Sequence, residues 1–187
     1  MGQDTSKRGI ASVGGYLPLL RLDRSAASKG LQFSGLGGRN AGYRTTAGWD
    51  EDALTMAAEA SRHATSTVAP TRICFASTSS PFIERGHASM LLEALALPAN
   101  ARTIDVSGNR RCAVSALLDA LLGQGDTLIA SGEKRPVRAG SAFHTAWGDG
   151  GSAAVVTDDG GAALIGYASL ARDYVDLYSS REHPTPY

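Results

Sequence analysis

Cysteine is scarce in this chain, and its placement says where the protein works. Only Cys74 and Cys112 occur among 187 residues. Each falls in an apolar stretch, so both are expected as buried free thiols in a reducing compartment rather than as a disulfide. An excess of charge of either sign is missing too, since eighteen basic residues face eighteen acidic ones and the arginines are dispersed. That balance excludes the basic face by which a protein gathers nucleic acid. No apolar run is long enough to span a membrane, and no secretory signal with an apolar middle opens the chain, so a cytoplasmic location is expected. A phosphate loop is lacking as well: Gly148-Asp149-Gly150-Gly151 has no Lys-Ser/Thr after it and leads into Ala and Val, which form strands. No metal site is expected.

What remains is a length and composition suited to one domain with a sizeable core, preceded by a polar, disordered lead over residues 1–8. The domain, residues 9–187, alternates strands and helices in a layered α/β/α arrangement, with a mixed five-stranded sheet and flanking helices. Gly9 to Leu20 reads as a first strand, broken at Gly14-Gly15 and turned at Pro18. Ser25 to Ala47 is rich in Gly and Ser, without clear periodicity, and reads as a loop. The acidic run Asp50-Glu51-Asp52 opens a helix over ALTMAAEASRHA, where its charge suits the helix dipole, and His63 sits near the end of that helix. Arg72 to Ser77 is a second strand. A helix from Glu84 to Leu97 follows, with Met90, Leu91, Ala94 and Leu95 on one face and Pro98 as its stop. Glu84 and His87 at its start read as surface or capping groups. Thr127 to Ser131, Gly148 to Val156 and Ala162 to Ala168 supply further strands, and Asp158-Asp159-Gly160-Gly161 is a hairpin-type turn.

The stretch around which these elements are arranged is Thr103 to Leu122, TIDVSGNRRCAVSALLDALL. Ile104 and Val106 flank Asp105 in a short buried strand. Ser107-Gly108 breaks it, and Ala113 to Leu122 has helical apolar spacing. Such a turn aims the free N–H groups and positive dipole end of the helix at whatever occupies it, which suits a nucleophile or an anion.

Asp105-Val106-Ser107-Gly108 with its small-residue helix, the phrase DEDALTMAAEA, and Gly148-Asp149-Gly150-Gly151-Ser152-Ala153-Ala154 together resemble the thiolase superfamily. The most similar branch is 3-hydroxy-3-methylglutaryl-CoA synthase. Ser131 to Arg135, Arg138 to Ser141 and the closing DYVDLYSSREHPTPY resemble further segments of that family. The resemblance runs from Gly9 to Tyr187 and implies the first of two similar halves, the second of which carries the family's catalytic His and its oxyanion partner. It also implies a catalytic Cys five places after the Asp and a general acid/base Glu in the loop after the second strand. Here those places hold Arg110 and Thr78. A hydroxyl cannot act as a carboxylate base near neutral pH. Cys112 lies two residues past the nucleophile's place, about 200° further around an ideal helix.

Three readings follow. The first is a non-catalytic subunit that assembles with a second thiolase-like chain, either a C-terminal half or a full catalytic homologue, into an acyl-CoA-processing complex for Claisen-type C–C bond formation or thiolytic cleavage. Its substrate is a coenzyme A thioester, with Arg110 and Arg111 facing it. By resemblance, a zinc-ribbon/OB-fold acyl-CoA-binding protein is a further partner. The second is an acyltransferase using Cys112 as nucleophile, since a Cys in a first helical turn can have a lowered pKa. The third is a non-enzymatic scaffold in which Arg110 holds a carboxylate or phosphate, or pairs with Asp105 or a partner chain. One half alone also exposes a helix face that calls for a partner.

Overall fold

The backbone makes period-2 use of its apolar residues, and that sorts them onto two sides of one sheet. A computed structural model describes residues 8–30, 41–65, 68–139 and 141–172. The expected lead (apart from Arg8), the middle of the Gly/Ser-rich stretch and the closing DYVDLYSSREHPTPY lie outside them. Strands β1 (Gly9–Tyr16), β4 (Arg72–Ala76), β5 (Arg102–Val106), β6 (Thr127–Glu133) and β7 (Gly150–Thr157) form the main sheet, with a two-residue β8 (Ala162–Ala163) as its sixth strand. The order is β5-β4-β6-β7-β1-β8. β5, β4 and β6 run parallel, while β7 is antiparallel to both β6 and β1.

Ile73, Phe75, Leu128, Ala130, Ala153 and Val155 point to one side, where α2 (Ala53–Ala64) and α3 (His87–Ala94) cover them. Cys74, Ala76, Ile129 and Val156 point to the other, against Cys112, Ala116 and Ala120 of α4 (Cys112–Leu122). The result is the expected α/β/α layering. Asp52 caps α2, accepting from the Thr55 N–H at 2.8 Å while its own N–H donates to the Thr55 hydroxyl at 2.8 Å.

Helix α2 lies on the sheet at glycine. A Cβ at Gly14 would stand 2.0 Å from the Ala60 carbonyl oxygen, at Gly132 1.9 Å from that of Ala53, and at Gly151 2.2 Å from that of Met56. In the Gly148–Gly151 run it is Gly151 that permits a close backbone approach, and the approaching backbone is α2.

Several expectations change. β5 is not buried: it is the edge strand, and Ile104 is 50 % exposed. The first strand ends at Tyr16, and Leu20–Asp23 forms a separate β2 that pairs with β3 (Tyr43–Thr46) as a two-stranded ribbon. The stretch read as a loop thus contributes β3 and a short α1 (Arg24–Gly30), started by Asp23, whose carboxylate accepts from the Ser25 and Ala26 N–H groups. The turn after β7 leads to no hairpin, because β8 pairs with β1 and stops at Ala163. α3 begins at His87, leaving Glu84 exposed in the turn before it.

Substituting Gly132 or Gly151 by Ala is expected to lower unfolding free energy by about 3 kcal/mol or more, because backbone lies in the way. Gly15, with nothing within 4 Å of its virtual Cβ, is the control: Gly15→Ala should stay within about 1 kcal/mol of the parent in urea unfolding.

Candidate functional site

Three parallel strands and one helix start converge where an α/β sheet ordinarily binds its ligands, beyond the carboxyl ends of the strands. Asp105, near the end of β5, accepts from the His87 N–H through Oδ2 and from the Ala88 N–H through Oδ1, each at 2.8 Å, so it caps α3 from a neighbouring strand. Gly86, at the N-cap position itself, offers no side-chain cap. The same Oδ2 lies 2.8 Å from His87 Nδ1, and His87 Nε2 accepts from the Phe82 N–H at 3.2 Å. These bonds fix the imidazole as its Nδ1–H tautomer. The residue is 4 % exposed and its ring stacks on Phe75 and Phe82, with centroids at 5.1 and 5.9 Å. The expected surface histidine is therefore an internal one, drawn in by the Asp105 carboxylate.

The chain then turns at Gly108, whose φ of 95° only glycine adopts without strain. The Asn109 carboxamide oxygen accepts from the Arg111 N–H at 2.8 Å, and the Asn109 carbonyl from the Cys112 N–H at 3.1 Å. Arg110 and Arg111 are exposed at the head of α4. Cys112, the first helical residue, turns inward and is 2 % exposed. Burial pushes its thiol pKa up, the charge of Glu133 adds to the rise, and the backbone N–H groups at the helix start only partly oppose it. That is the reverse of an activated thiol.

Glu133 is the site residue that the sequence pattern did not single out. Its carboxylate accepts from the Thr78 N–H at 2.7 Å, the Thr78 hydroxyl at 2.8 Å and the Ser79 hydroxyl at 2.9 Å. The parallel register of Ala76 with Ser131, extended by two residues, sets Thr78 beside Glu133. That register was the available signal. Thr78 thus holds a carboxylate delivered by the adjoining strand. Ser77 donates to the Gly132 carbonyl at 2.7 Å, and the Lys134 N–H donates to Ser79 Oγ at 2.8 Å, closing the two strand ends together.

Arg135 lies over the Trp147 ring, 4.3 Å from its centroid. Burial lowers its pKa, Glu133 raises it and Arg110 lowers it, so Glu133, Arg110 and Arg135 share one electrostatic neighbourhood. His63 is outside this group: it is exposed in the last turn of α2, whereas the first turn of that helix is the one against β6. Among the described residues no cluster of three His, Cys, Asp or Glu side chains could hold a metal ion, and no helix is long and apolar enough to cross a membrane.

No protein-family model matches the chain, and neither does any curated protein sequence. Solved structures do. HMG-CoA synthase complexed with CoA is 18% identical, with a TM-score of 0.79 over 97% of this chain and 50% of that one. FabH from Pseudomonas aeruginosa PAO1, a 3-oxoacyl-(acyl carrier protein) synthase III, is 21% identical, with a TM-score of 0.67 over 81% of this chain and 50% of that one. Xanthomonas campestris OleA with bound lauric acid and lauroyl-CoA is 18% identical, with a TM-score of 0.69 over 81% of this chain and 56% of that one. The fold is thiolase-like, and the chain spans about half the length of these structures.

The thiols give a titration prediction. Burial raises the Cys74 pKa from an ordinary 9.0 to about 11. The folded state therefore favours the neutral thiol, and its contribution is full below pH 9 and lost as pH rises toward 11, a change of about 2–3 kcal/mol. Urea unfolding of the parent and Cys74→Ala across this range should show a shallower decline in the variant. Cys112 should resist alkylation by iodoacetamide at pH 7.5 until the protein is unfolded.

Proposed function

We propose that this chain is a non-catalytic thiolase-like subunit that joins a second thiolase-like chain and lends its walls to the handling of coenzyme A thioesters. One observation carries the reading: exposed Arg110 stands where the resemblance puts the nucleophile, while the nearest thiol, Cys112, faces the core with its pKa raised. Covalent thioester chemistry needs an accessible thiolate beside a base. The likeness to HMG-CoA synthase complexed with CoA and to OleA with lauroyl-CoA supports the substrate class. Arg110 and Arg111, exposed at the start of an eleven-residue helix, suit a carboxylate or phosphate of that substrate.

A partner is supported by what the chain leaves uncovered. α4 buries one narrow stripe, Cys112, Ala116 and Ala120, while Val114 is 54 % and Leu122 53 % exposed. Beside it β5 is an open sheet edge among the described residues. Apolar helix surface next to an unpaired edge is costly in water and is ordinarily covered.

Native mass spectrometry of untagged protein purified from its source tests the reading. The expected result is a complex with a second thiolase-like chain that carries a cysteine nucleophile. The same purification reports whether a zinc-ribbon/OB-fold acyl-CoA-binding protein accompanies them. In that complex Arg110→Ala should leave assembly intact and weaken coenzyme A thioester binding about tenfold. Recovery of this chain only as a homo-oligomer would contradict the proposal.

A further inference from the structure

A buried guanidinium lies in the β2–β3 ribbon, among residues used neither by the strand-end site nor by the exposed α4 face. Arg44 on β3 is 9 % exposed. Its Nη1 donates to the Thr45 carbonyl at 3.2 Å. Its Nε is buried and has no hydrogen-bond partner, and the same holds for the Thr46 hydroxyl. Residues 44 and 46 share one face of the strand, so both orphan polar groups look the same way. Most buried polar groups find partners, and an arginine cannot escape its charge by deprotonation.

Among the described residues that charge is only partly compensated. Asp149 acts on Arg44 favourably, yet among the described residues it makes no ion pair of 4.0 Å or less with it. One oxygen of Asp149 accepts from the Ala47 N–H at 2.8 Å. A second guanidinium stands close enough to lower the Arg44 pKa: that of Arg24, held at the start of α1 by the Thr145 carbonyl at 2.7 Å and the Ala41 carbonyl at 3.2 Å. His144 on α5 (Ala142–Ala146) completes the wall, its pKa lowered by burial and then by Arg44, which keeps the imidazole neutral near pH 7. Among the described residues two permanent cations therefore meet one carboxylate in a partly desolvated place. A water molecule could satisfy Arg44 Nε but would leave the charge surplus untouched.

We propose that Arg44 and Arg24, with the Thr46 hydroxyl, form a binding site for a small oxyanion, a phosphate or carboxylate group, between β3, α1 and α5. Guanidinium groups are suited to either anion through charge-assisted hydrogen bonds. This site does not depend on the function proposed above. Failure of one leaves the other standing.

The test is calorimetric titration and thermal unfolding of the full chain with inorganic phosphate, and separately with acetate, at constant ionic strength set by chloride. The expected result is saturable binding of one oxyanion per chain and a rise in Tm beyond that given by chloride; whichever probe binds more tightly identifies the group. Arg44→Met should weaken binding at least about tenfold, and Thr46→Val by about three- to tenfold. Arg62→Met, at an exposed arginine paired with Glu59 on α2, should leave it unchanged. If Arg44→Met fails to fold, Thr46→Val and Arg24→Gln, checked by circular dichroism, carry the same comparison. Equal responses to phosphate, acetate and chloride would overturn the proposal. So would binding that survives Arg44→Met, or Thr46→Val and Arg24→Gln together.

Discussion

The close seat of α2 on the sheet is the constraint on which the rest depends. Three strands give up a side chain to it, at Gly14, Gly132 and Gly151, where even a methyl group would run into helix carbonyls at about 2 Å. Gly132 and Gly151 are direct partners across β6 and β7, so the seam is continuous between these two strands. Its consequence reaches the site at once. Glu133 follows Gly132, and Lys134 follows Glu133, reaching the Gly48 and Glu51 carbonyls before α2 at 2.9 and 2.7 Å. Tyr16, facing Gly151 across the ladder, donates to the Glu51 carboxylate on the same approach. The backbone fit thereby fixes where the strand-end carboxylate stands.

From that fit comes the chemistry of the strand ends. A covalent acyl-transfer site needs an accessible nucleophile and a base with a hydrogen-bonding position still open to substrate. Here Asp105 is occupied by the first N–H groups of α3 and by His87, and Glu133 by Thr78 and Ser79. The Cys112 thiol packs among Cys74, Ala76, Ala116 and Ile129. The polar groups are matched to one another, and the exposed ones at the helix head are arginines. Such an arrangement closes the strand ends together and leaves arginines exposed beside them.

Much of the architecture was legible because strand and helix periods differ. Ile73, Cys74, Phe75 and Ala76 alternate between two apolar layers, and the acidic run Asp50-Glu51-Asp52 stands at the start of α2 as the helix dipole favours. What escaped the sequence depended on neighbours distant along the chain. Ile104 has the pattern of a buried strand, but its position at the sheet edge leaves it half exposed. His87 was read as a surface or capping group because nothing local announces that Asp105, eighteen residues on, turns back to it. Glu133 lay in a segment read only for its likeness to a family pattern, and its role arises from the register between β4 and β6. β3 and α1 went unseen because Gly- and Ser-rich sequence offers little amphipathic period.

Intact-mass analysis after incubation with acetyl-CoA, on this chain as purified from its source with whatever chain accompanies it, tests the central claim most directly. The account predicts that an acetyl adduct forms on the partner's cysteine and none on this chain. A mass gain of one acetyl group on this chain, mapped by peptide sequencing to Cys112, would contradict it.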